Sequence, residues 1–169
     1  MGKMIHLISD TFFGRSSLAK TRGFASAEEM DNQIIENWND KVQPNDIVWH
    51  LGNFCWDVIS GESALQRLNG NINLIQSETD LAFNQIFDVQ GVNKFQGYFV
   101  MEGHNIVMSH WPMVDWPAKR TNNTLHLHGG DKEYKSELMI EKRFNVNCEL
   151  WSLGPISLNA LNDIKNMVE

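Results

Sequence analysis

The sequence predicts an α/β protein with a largely parallel first sheet and a second sheet packed against it. Three observations point there. Short apolar runs that end in polar residues recur through the first half, helical patterns separate them, and a further set of strand-like runs fills the second half.

Met4 to Ser9 (MIHLIS) is nearly continuous in apolar residues and stops at Asp10, as a strand buried on both faces would. The polar, basic stretch TFFGRSSLAKTRGF reads as a loop. Ser26 then caps a helix, with Glu29 completing a capping box, and Met30, Ile34, Trp38 and Val42 form one apolar stripe. Pro44-Asn45-Asp46 ends that helix. DIVWHLG reads as a second strand, SGESALQRLNG as a short helix stopped by Asn69-Gly70, and NINLIQ as a third strand. This alternation calls for right-handed crossovers. Farther on, FQGYFVM and NIVMSH flank a tight turn at Glu102-Gly103-His104. TLHLHGG and RFNVNCEL are two more strands, separated by a charged segment from Asp131 to Lys142. PISLNALNDIKNMV closes the chain as a helix with Ser157 as its cap.

Composition narrows the function classes. A chain of 169 residues suits one domain over 1–169, and 42% hydrophobic with 21% charged residues is a globular balance. The net charge of −7 argues against general nucleic-acid binding. No apolar run has the length of a membrane span, MGKMIHLISD lacks a secretory signal, and GKMIHL lacks the Ser or Thr of a myristoylation site. Cys55 and Cys148 form no CxxC pair, so free thiols and a cytoplasmic location are expected.

The predicted strand ends carry the chemistry, since ligands in open α/β sheets bind beyond the carboxyl ends of strands. They read ISDTFFG, HLGNFCWD, NLIQSETD, MSHWPM and LHLHGGDK. In this order, and with flanks such as SAEEMDNQIIENWNDKVQPNDIVWHLG, they resemble the calcineurin-like metallophosphoesterase family in its short bacterial and phage form. Its strand ends read D-x-H, G-D, G-N-H-D, H and G-H-x-H. The resemblance implies a four-layer α/β/β/α sandwich with a two-metal centre.

Most of that centre is missing here. Asp10 and His110 are retained, but Phe12 stands where a histidine ligand belongs and Asn53 where an aspartate bridges both metals. Ser77 replaces an asparagine ligand and Glu78 the histidine that protonates the leaving group. Gly130 and Lys132 replace the two metal-binding histidines. Unit charges 4 Å apart interact by about 4 kcal/mol at an effective dielectric of 20, so two dications repel about four times as strongly. A neutral Asn53 cannot offset that repulsion, and Lys132 adds to it. The expectation is therefore a pseudoenzyme with no catalytic residues, no metal and no cofactor, retained as a protein-binding module. A metallophosphoesterase-fold subunit of the retromer complex is the family's precedent, and a phage-encoded chain would suit an inhibitor or decoy of a host protein.

Two alternatives stand beside it. One is a phosphoesterase using a single divalent ion such as manganese on Asp10 and His110, with Glu78, His128 and Asp131 nearby. The other is a metal-free phosphate or nucleotide binder built from Arg15, Lys20, Arg22, Lys119, Arg120 and Lys132. The candidate binding surface is Phe12, Phe13, Phe54, Trp56, Trp111 and Trp116 with Arg15 and Lys132. Core packing is expected to claim part of this set. Phe12 is expected to plug the emptied metal cavity rather than extend a patch. Glu78 reads as a solvated carboxylate facing Lys132, His126 and His128 as structural, and His50 as a hydrogen-bonded support of the site. His6 and His104 carry no functional case.

Overall fold

A computed structural model describes residues 2–120, 124–130 and 142–168. The predicted strand–helix units build its first sheet. β1 (Ile5–Ile8), β2 (Ile47–His50), β3 (Asn71–Ile75) and β4 (Asn93–Phe95) run parallel, and β9 (Ile156–Ser157) closes the β1 edge antiparallel. The order is β4-β3-β2-β1-β9. The second sheet, β5-β6-β7-β8, combines a β5 (Tyr98–Met101) and β6 (Ile106–Ser109) hairpin with β7 (Leu125–His128) and β8 (Arg143–Asn145), both added parallel.

The helix α2 (Ala27–Lys41) begins where its cap dictates. The Ser26 hydroxyl accepts from the Glu29 amide at 3.1 Å, while the Glu29 carboxylate accepts from Ala25 at 2.7 Å, one residue before the cap. Its stripe of Met30, Ile34 and Trp38, continued by Val42, is wholly buried. These side chains meet Ile8, Val48 and Leu74 on one face of the first sheet, together with α3 (Val58–Arg67) and α5 (Asn84–Val89). Burying each large apolar side chain contributes about 1.5–3 kcal/mol. On the other face Leu7, Trp49, Leu51 and Ile75 pack against Met108, Leu127 and Phe144 of the second sheet, joined by Leu158 and Leu161 of α6 (Leu158–Val168). Ser157 caps α6, its hydroxyl accepting from the Ala160 amide.

The structure is thus a mixed α/β fold with helices, a first sheet and a second sheet in contact. A fourth, helical layer is not seen among the described residues, where Trp116 of the 111–120 loop covers His126 on β7. Three short helices, α5 among them, arise where no helix is expected from the sequence. α1 (Ser16–Thr21) lies within the predicted first loop, and α4 (Glu78–Leu81) follows β3.

Candidate functional site

The loops after β1 and β2 continue side by side beyond the strand ends. Asp10, Phe12 and Phe13 donate their amides to the carbonyls of Gly52, Asn53 and Phe54 at 3.0, 2.9 and 3.0 Å. Asp10, Phe12 and Asn53 all take left-handed backbone, with φ of +59°, +50° and +58°. Strained backbone of this kind persists only where surrounding contacts over-determine it.

Asp80 supplies part of that determination. Its buried carboxylate accepts from the amides of Asn53, Phe54 and Ser77, each at 2.8 Å, tying the β2 and β3 loops together. Asp80 also closes a capping box with Ser77 at the start of α4. Gly52 is the other fixed point. Its φ is +95°, and a Cβ there would lie 2.5 Å from His110 Nδ1, so the imidazole rests directly on the glycine.

These contacts gather Asp10, Asn53, Ser77 and His110 into one network. His110 donates from Nδ1 to the Leu51 carbonyl at 2.6 Å, which leaves Nε2 as an acceptor. The Asn53 amide nitrogen lies 3.3 Å from that Nε2 and donates to Asp10 Oδ1 at 2.8 Å. The Asn53 carbonyl and the Asp80 carboxylate both lie within reach of the single Ser77 hydroxyl hydrogen, at 2.8 and 2.7 Å. Asp10 Oδ2 accepts from the Ser9 hydroxyl at 2.7 Å and the Gly130 amide at 2.8 Å. Burial pushes the Asp10 carboxyl above its ordinary pKa, against the pull of His110 and these hydrogen bonds.

Beneath this floor His50 is fully buried, its Nε2 3.0 Å from the Thr11 hydroxyl, and burial followed by the nearby His110 lowers its pKa to about 3. Thr11 spends its hydrogen on the Phe54 carbonyl, so His50 donates to Thr11 and supports the loop as expected. His126 accepts the Met113 amide and is buried on β7, in line with its structural reading.

The aromatic residues separate into two groups. Phe13 and Phe54 are fully buried and 5.2 Å apart, with Phe54 also meeting Phe87 of α5. Trp116 is 5% exposed and donates to Thr124. These three belong to the packed interior, which corrects their place on the expected binding surface: the paired loops after β1 and β2 turn Phe13 and Phe54 inward, and Trp116 packs on His126. Trp56 and Trp111 are 49% and 56% exposed. Phe12 is half-buried and meets Trp56 edge-on at 6.2 Å. It does not plug the cavity, because a cleft of about 390 Å³ remains, lined by Phe12, Asp10, Arg15, Asn53, Trp111 and Gly130 among others.

The polar candidates also sort by geometry. Glu78 is exposed at the start of α4, as a solvated carboxylate should be. Arg22 is committed to Glu149 and to the Asp10 and Thr11 carbonyls. Lys119 donates to the Val114 carbonyl and lies over Trp116, whereas Lys20 and Arg120 are exposed. Asp131 and Lys132 lie outside the described residues. Gly130 has φ +80° with the Trp111 ring 3.3 Å from where a Cβ would stand, so a histidine there would be strained. Both cysteines are free and buried, and desolvation pushes each thiol up to about 12.

Sequence reasoning missed Asp80, although Ser77-Glu78-Thr79-Asp80 has the spacing of a capping box. It also missed the pairing of Arg15 with Phe12 and Trp56, for which no local signal exists.

No family model matches the sequence. The uncharacterized protein MJ1445 of Methanocaldococcus jannaschii is 32% identical over 165 residues, covering 94% of this chain and 89% of that protein. Among solved structures, the protein of unknown function AQ665 from Aquifex aeolicus has a similar fold at a TM-score of 0.72, with 20% identity, covering 96% of this chain and all of that one. The nuclease MPE from Pseudomonas putida is similar at a TM-score of 0.49 and 13% identity, over 74% of this chain and 59% of that one.

Proposed function

This chain belongs to the family of the uncharacterized MJ1445 protein, and we propose that it is a metallophosphoesterase-like scaffold whose two-metal centre has become a metal-free hydrogen-bond network, kept for binding a protein partner. One observation carries the reading: the Asn53 amide donates to Asp10 and sits against His110 Nε2, two groups at positions that would hold metal in the metallophosphoesterases the sequence resembles. Amide hydrogens thereby occupy the role of cations.

The donor set does not fit a metal. Asp10 accepts three hydrogen bonds, His110 Nε2 faces an N–H, and Asn53 brings no charge. Among the described residues no group of three or more His, Cys, Asp or Glu side chains is placed to hold an ion. No step of hydrolysis is therefore assigned to this cleft. The exposed Trp56 and Trp111 support the protein-binding half of the reading, because tryptophan is enriched where partners anchor.

Titration of the purified protein with manganese, paired with an assay on bis-(p-nitrophenyl) phosphate, tests the first half. The expected result is no saturable ion binding and no hydrolysis. Stoichiometric manganese with hydrolysis lost on Asp10→Ala overturns it. Asn53→Asp places a second carboxylate against Asp10 and should bind manganese at least about tenfold more tightly than the natural chain. The second half requires a partner captured by the natural chain and lost with Trp111→Asp.

A further inference from the structure

We propose that Arg15 anchors an oxyanion site in this cleft, taking a carboxylate or phosphate-monoester group through its in-plane N–H donors. The inference rests on the metal-free reading of the same cleft and names the chemistry that cleft receives.

Arg15 is held but unpaired. Its guanidinium lies 4.6 Å from the Phe12 ring centre and 4.3 Å from that of Trp56. Two aromatic contacts of this kind hold a cation in place without consuming its N–H donors in hydrogen bonds. Among the described residues the guanidinium makes no hydrogen bond and no ion pair, and Nε is buried without a partner. A planar fork of donors without a hydrogen-bond partner matches a carboxylate or phosphate in bidentate geometry.

The surroundings support the same sign of ligand. Arg22, the other cation lining the cleft among the described residues, is spent on Glu149 and two carbonyls, and Glu149 pairs with Arg22. The Asp10 carboxylate is occupied by the Ser9, Asn53 and Gly130 donors. Among the described residues, what the cleft leaves open is one held cation, Arg15, beside the exposed Trp111. The size, about 390 Å³, admits an acidic side chain or a small phosphate ester.

The test follows the Arg15 Nε–H resonance and tryptophan fluorescence of the full-length protein during titration with inorganic phosphate, adenosine monophosphate or a capped glutamate-rich peptide. At least one probe should give a saturable shift of Arg15 Nε–H below about 10 mM. Its affinity should fall at least about tenfold in Arg15→Ala, and by less in Arg15→Lys, which keeps the charge without the fork. A response to the peptide alone places the oxyanion on a protein partner, and a response to the phosphates makes it a free ligand. Silence from all three probes, or undiminished binding by Arg15→Ala shown to be folded by circular dichroism, overturns the proposal. Manganese binding by the natural chain would instead overturn the metal-free reading, so the two failures are distinct.

Discussion

The floor and the rim of the cleft use their polar groups in opposite ways. On the floor, Asp10, Asn53, Ser77, Asp80 and His110 point their donors and acceptors at one another or at backbone. On the rim, Phe12, Arg15, Trp56 and Trp111 offer open aromatic faces and an unspent guanidinium. A buried network is costly when half-satisfied, so the floor is constrained to keep its shape. The rim bears no such constraint. Substitutions in the floor should therefore register as lost stability, and those in the rim as lost binding with the fold intact.

The strongest break of that contrast is Asp80→Ala, which strands the buried amides of Phe54 and Ser77 and leaves that of Asn53 only the Ser77 hydroxyl. It should lower the free energy of unfolding by about 3–5 kcal/mol, read from the urea midpoint. A loss as small as that of a surface substitution would show that the floor is not held as described.

Acid should come next. His126 is held at a pKa of about 4, by burial first and His128 second, and His50 at about 3. Unfolded imidazoles titrate near 6.5, so the folded state binds fewer protons below that value. Stability is complete above pH 6.5 and is lost as the pH falls toward 4, at up to about 1.4 kcal/mol per pH unit for each group. Asp31 opposes this. Burial raises its carboxyl to about 6, so acidification through that range relieves a cost, although its partial exposure reduces the weight of that term. Urea midpoints between pH 7.5 and 5 should show a net loss for the natural chain and a shallower slope for His126→Gln.

Trp111→Ala sharpens the other side. Stability should change by about 1 kcal/mol or less, because over half of this side chain's surface already faces water. Thermal unfolding checks the stability, and capture of the partner should fail.

Much of the framework was legible in the sequence because it depends on local pattern. The apolar runs of β1, β2 and β3 and the Ser26 cap of α2 need only their neighbours in the chain to declare themselves. α1 and α5 span six residues each, too few to display a helical period. β9 is two residues long and merges with the cap of α6. At the site, Asp10, Asn53, Ser77 and His110, which lie at four predicted strand ends, meet in one network. What Asn53 does between Asp10 and His110 was not legible. It depends on the donor direction of an amide between two groups far apart in the chain. Nor was the inward turn of Phe13 and Phe54, which follows from loop pairing that only the folded backbone displays.

The two-residue strand β9 has a consequence for biogenesis. Its partners on β1, His6 and Leu7, are made well before it, so the flank they offer stays bare until Ile156 and Ser157 follow. An uncovered strand edge is a template for pairing with another molecule. Nascent chains of this protein therefore carry a sticky margin until residue 157 is made, and a premature stop before residue 156 would yield a product prone to aggregation and dependent on chaperones.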